Sequence, residues 1–177
     1  PSAANNITVQ APSGVFVVDD SVGSPVGDRI PSNRNLVLTG GTFKYNGNAA
    51  GSTESFGALT TNRSQSNIVW SNPTGAASVA LNFASLTING DSNVDFQGTG
   101  LGVNGTNKIT FTSAPGVTNG IIQRATLNGL NFVSYNTTGA VANANGIQAF
   151  ANYNALNNID SAATADTLNI SADPIFT

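Results

Sequence analysis

Between Asn35 and Thr112, apolar residues recur two positions apart, and the pattern never shifts to the three-to-four spacing of a helix. The groups are Leu36/Leu38, Phe43/Tyr45, Ile68/Trp70, Val79/Leu81/Phe83, Leu86/Ile88, Val94/Phe96 and Ile109/Phe111, with Thr, Asn, Ser, Asp or Lys mostly between them. Successive side chains of a strand point to opposite faces, so this period marks half-buried β-strands. Gly40-Gly41, Asn46-Gly47, Asn89-Gly90, Gly98-Thr99-Gly100 and Asn104-Gly105 punctuate the series, and there the backbone takes positive φ at little steric cost. The chain is therefore expected to be all-β. Strands that begin seven to fifteen residues apart suit a sandwich, a barrel or a β-solenoid equally well.

The flanks are less regular. Ile7/Val9 lead to a Pro12-Ser13-Gly14 turn and then to Val15-Phe16-Val17-Val18, whose apolar residues on both faces predict a buried strand. Pro25 and Pro31 mark the loop Ser21–Asn35, since proline cannot donate to a ladder. Ser55–Thr60, Ile121–Leu127 and Leu130–Tyr135 read as further strands. Across 139–165, Ile147, Phe150, Tyr153, Leu156 and Ile159 are three apart, which suits a helix face, but the many Asn residues prefer caps and turns. That stretch is read as mostly irregular. Leu168/Ile170 return to strand, and Ile175-Phe176 come just before the last residue. At 177 residues and 40 % hydrophobic content, residues 1–177 are expected to form a single domain.

Charge narrows the function. Only 8 % of residues are charged, against roughly 25 % in an ordinary domain, so solubility rests on Asn, Thr, Ser and Gly. Six Lys and Arg against nine Asp and Glu leave no basic patch for phosphates, which argues against nucleic acid and anionic membrane surfaces. Cys, Met and His are all absent, so there is no thiolate, no imidazole base and no ordinary zinc or copper ligand set. No apolar run approaches the ~18 residues that cross a bilayer. A chain opening Pro1-Ser2-Ala3-Ala4 without Met reads as processed or as a segment of something longer.

Few side chains suggest chemistry. Asp19, Asp20 and Asp28 are the densest acidic cluster, but they lack the spacing of a calcium loop and read as a solvated loop. Asp91 and Asp95 lie four apart across a turn, and Glu54 stands alone. None has the paired partner that general acid–base chemistry needs. No catalytic, cofactor or metal residue is assigned, and the protein is read as a non-enzyme. Tyr45, Trp70 and Tyr135 are the aromatics that a glycan-binding platform would use, though core or corner positions suit them better. Asn6, Asn62, Asn104, Asn136 and Asn169 fall in N-x-[ST] sequons, a frequent coincidence in a chain rich in Asn and Thr.

The ordered succession Asn35–Phe43, Ser52–Leu59, Val94–Gly102, Lys108–Pro115 and Asn119–Ile122 resembles the autotransporter-associated β-strand repeat of large bacterial surface proteins. The resemblance implies a right-handed parallel β-helix, an extracellular location at the bacterial cell surface, and a structural or adhesive role with a glycan or surface target. In such a coil, rungs of ~20–25 residues would number roughly seven or eight, giving a rod of roughly 35–40 Å at the usual strand spacing. Corner Asn and Thr would hydrogen-bond to their equivalents on the next rung, as stacked amides do. Neither Pro1–Asn6 nor Ile175-Phe176 resembles a cap, so each end is expected to meet another copy head to tail, giving a filament. Two rivals are carried alongside. One is a pilin-like β-sandwich whose Ile7–Val9 or Leu168–Phe176 strand is donated to a neighbour; the other is a polysaccharide-binding or polysaccharide-cleaving β-helix.

Overall fold

A computed structural model describes residues 6–11, 13–63, 67–103, 105–137 and 146–151, and among them there is no helix. The strands are β1 (Asn6–Gln10), β2 (Val15–Asp19), β3 (Asn35–Thr39), β4 (Thr42–Gly47), β5 (Ser52–Thr61) and β6 (Ile68–Pro73). They continue as β7 (Val79–Ile88), β8 (Val94–Gln97), β9 (Asn107–Phe111), β10 (Ala125–Leu127), β11 (Asn131–Asn136) and β12 (Gly146–Ala149). Up to β10, odd and even strands separate. One sheet runs β1-β3-β5-β7-β9, and the other runs β12-β11-β10-β8-β6-β4-β2. Every pairing from β1 to β10 is parallel. The chain is thus a β-solenoid with two strands per turn. The antiparallel sandwich is excluded.

Register sets the length of a turn. Asn6 pairs with Asn35, Leu36 with Leu59, Leu59 with Leu86, and Val79 with Asn107. Among the described residues, the five strands of the first sheet span four turns, fewer than the seven or eight rungs expected for the whole chain. Two features of the described residues shorten the coil: the corners are long, the largest being the loop from Asp20 to Arg34, and β11 and β12, after β10, are antiparallel and add no turn. Four strand spacings make a coil of about 19 Å.

Alternation explains the core. Inward residues of successive rungs fall in register, giving the columns Ile7–Leu36–Leu59–Leu86 and Phe16–Phe43–Val69–Phe96–Leu127. A chain of rings runs the length of the lumen: Phe16 to Phe43 at 5.7 Å, Phe43 to Phe56 at 5.2 Å, and Phe56 to Phe83 and Phe83 to Phe111 both at 5.7 Å. Each buried side chain of this size contributes about 1.5–3 kcal/mol. The prediction of a strand buried on both faces at Val15–Val18 is corrected here. Val15 and Val17 point outward and are 56 % and 45 % exposed, because in a two-sheet coil the outer face of each sheet meets solvent.

Amide ladders hold the corners. Asn35 Nδ2 donates to Asn6 Oδ1 at 3.0 Å, Asn72 Nδ2 to Asn46 Oδ1 at 3.2 Å, and Asn89 Nδ2 to Asn62 Oδ1 at 2.6 Å. Asn is both donor and acceptor, so it stacks on its own kind where Lys or Glu would repel. The low charge of the sequence follows from this geometry.

The far end of the coil is covered. After β10 the chain turns through Asn128 and Gly129, both at positive φ, and β11 returns antiparallel to β10, with β12 antiparallel to β11. Val133 and Ile147 are buried, closing the lumen. The Tyr135 hydroxyl accepts from Phe111 N at 2.8 Å and donates to Phe111 O at 2.9 Å, satisfying a backbone edge that the next rung would otherwise pair. Close packing demands glycine at Gly146 (φ 116°), where a Cβ would lie 2.4 Å from the Ile109 carbonyl oxygen. The expectation of an uncapped C-terminal tip is therefore corrected for the coil itself. Pro1–Asn5, the remainder of 139–165, Leu168/Ile170 and Ile175-Phe176 lie outside the described residues. Within 139–165, the described residues hold the short strand β12.

Tyr135→Phe tests the cap. Removing the hydroxyl leaves the Phe111 N–H and C=O without that partner, at a cost of about 1–3 kcal/mol. Urea denaturation should show the loss, and hydrogen exchange at the Phe111 amide should quicken more than at Phe83.

Candidate functional site

The opposite end of the coil differs. Among the described residues, β1 and β2 each pair on one side only. Their inward residues Ile7, Val9, Phe16 and Val18 form the last layer of the core, with Ile7 and Phe16 only partly buried. A strand edge of this kind offers unpaired N–H and C=O groups to another chain.

A polar clamp fixes this rung. Asp20 is fully buried and accepts from Arg29 Nη2 at 2.5 Å and Nε at 3.1 Å, and from Val26 N at 3.2 Å. Glu54, fully buried on β5, accepts from the backbone N–H of Arg29 at 2.8 Å and of Ile30 at 3.0 Å. Asp28 N also donates to Thr53 O, and Gly57 N to Arg34 O, so this loop lies along the first half of β5 where β3 does not reach. Burial raises the Glu54 pKa, opposed by the amides of Ile30 and Arg29. Asp19 faces outward, its pKa lowered by hydrogen bonds from Ser21. The acidic cluster of the sequence is thus divided: Asp20 turns in to an arginine and Asp19 turns out. No three carboxylates converge on a cation position among the described residues.

Asp95 and the candidate aromatics are also engaged. Asp95 Oδ1 accepts from Thr126 Oγ1 at 2.8 Å and Gly129 N at 2.9 Å, and Oδ2 accepts from Gln97 Nε2 at 2.7 Å, so this carboxylate holds the β10–β11 turn. Tyr45 is buried, with its hydroxyl on Ser52 Oγ at 2.7 Å. Tyr135 is tied to Phe111, and the Lys44 ammonium sits 4.3 Å from the centre of the Trp70 ring. The three aromatics are not brought together as a platform. Sequence reasoning missed the role of Glu54, although its position between Ser52 and Phe56 in the alternation places it on the inward face.

No family model matches the chain, and neither does any curated protein or solved structure. No helix among the described residues is long and apolar enough to cross a membrane.

Proposed function

We propose that the protein is a non-catalytic structural element of the bacterial cell surface, joining further copies of itself end to end in an extracellular rod. One observation carries the reading. Among the described residues, the two edges of the seven-stranded sheet are β2 and β12; β12 is antiparallel to β11, which is antiparallel to β10, so β12 and β2 run in the same sense. The β2 edge of one copy can therefore continue the β12 edge of the next as a parallel pair, and such a heterologous contact repeats without closing. The junction involves one sheet rather than two bare lumens, because β11 and β12 cover the other. The likeness to autotransporter-associated repeats and the nearly uncharged surface support the extracellular setting. The engagement of Asp95 and Glu54 in structural hydrogen bonds supports a role without acid–base chemistry.

Light scattering coupled to size exclusion, with negative-stain microscopy, tests the assembly. The native chain should form rods that lengthen with concentration, and Val17→Lys, which places a charge on the exposed edge, should leave monomers. Native monomers at every concentration would refute the reading.

A further inference from the structure

We infer that a groove at the β8–β10 end of the second sheet is a binding site for an acidic sugar. It lies between the Gly90–Asn93 turn and the Ile121–Thr126 segment, with Phe132 of β11 beside it, and encloses about 590 Å³. That is within the roughly 300–1,000 Å³ of ordinary ligand sites. Ile121, Ile122 and Phe132 give it apolar walls, and Phe132 is 46 % exposed.

Charge selects the ligand. Arg124 stands at positive φ, 61°, and its guanidinium donates to the carbonyl oxygens of Gly90 and Ile88. These neutral acceptors orient the group without cancelling its charge, and no carboxylate among the described residues is within ion-pair distance of it. Of the five guanidinium N–H donors, three remain for an incoming anion, and an arginine–carboxylate contact is among the stronger polar interactions. Asp91 and Asn93 line the same groove; the Asp91 carboxylate accepts from hydroxyls and disfavours a second acid group beside it, and Asn93 offers a donor and an acceptor, all of which a simple fatty or aromatic acid would leave without use. A ring bearing one carboxylate, several hydroxyls and an apolar C–H face satisfies all three surfaces. The class is a uronic acid within a polysaccharide. No residue of β2 or β12, the two edges of the proposed junction, lines the groove, and sugar binding by the monomeric Val17→Lys variant separates this inference from end-to-end assembly.

Calorimetric titration of the full chain with tetragalacturonate, at low salt, tests the inference against the fully methyl-esterified tetramer, which keeps the rings and removes the charge. Saturable binding is expected for the acid and not the ester, weakening as salt rises. Arg124→Gln should weaken it at least ~10-fold, as loss of a charge-assisted contact predicts, and Arg124→Lys should restore part of it. Because Arg124 also closes a turn, Phe132→Ala serves as an exposed second variant, expected to weaken binding several-fold. Amide shift changes should map to 90–93 and 121–126. No saturable binding of the acid, equal binding of acid and ester, unaltered affinity in Phe132→Ala, or shifts confined elsewhere would each overturn it.

Discussion

Phe83→Ala is expected to destabilise the protein by about 3–5 kcal/mol, the usual cost of emptying a buried aromatic site. Phe83 is 1 % exposed and stacks between Phe56 and Phe111, each 5.7 Å away at 23°. Its neighbours cannot collapse into the void, because each is held by its own rung and by the parallel ladder of β5, β7 and β9. In a stacked array stability is a sum of rung and interface terms, and this substitution weakens two interfaces at once. Set against a typical 5–15 kcal/mol for a whole domain, the loss is a large fraction. Guanidinium denaturation should show it, with Trp70→Ala on the outer face as the contrast, costing about 1 kcal/mol or less beyond its own partial burial.

Glu54→Ala should cost a similar amount, by a different route. It strands the N–H groups of Arg29 and Ile30, each at about 1–3 kcal/mol when left unsatisfied in a buried site, and it opens a void in the column above Leu81 and Ile109. The pH dependence has a definite sign. Burial raises the Glu54 pKa above its ordinary value of 4.5, so the folded state holds this proton more tightly than the unfolded chain does. Its contribution is complete below that ordinary value and is lost as pH rises through the raised one. The stability gap between native protein and Glu54→Ala should therefore be widest in acid and narrow toward neutrality. A gap that widens with rising pH would refute this account of the clamp.

Glu54 also shows how far residues alone can be read. Its alternation with Ser52 and Phe56 makes it inward-facing, yet nothing local says that a loop more than twenty residues earlier brings two amides to meet it. Asp20 is similar: in sequence it belongs with Asp19 and Asp28, and in space it belongs with Arg29. Trp70 and Tyr135 were legible as strand residues, but their partners come from elsewhere: Lys44 from the neighbouring rung and Phe111 from β9 of the other sheet. The groove had no sequence signal beyond the turn residues of its rim, because its walls come from three separate stretches.

The alternation of side chains by itself determined that this chain is built of strands, and its shortage of charge determined that those strands are bordered by stacking amides and hydroxyls, since both follow from local geometry and like-charge repulsion. Which strand lies beside which, how many turns are made and how one end is covered were decided only by the tertiary structure. The two-residue period is identical in a sandwich and a coil; the choice rests on hydrogen bonds between residues 23 to 31 positions apart along the chain, and those pairings exist only once the whole lumen has closed.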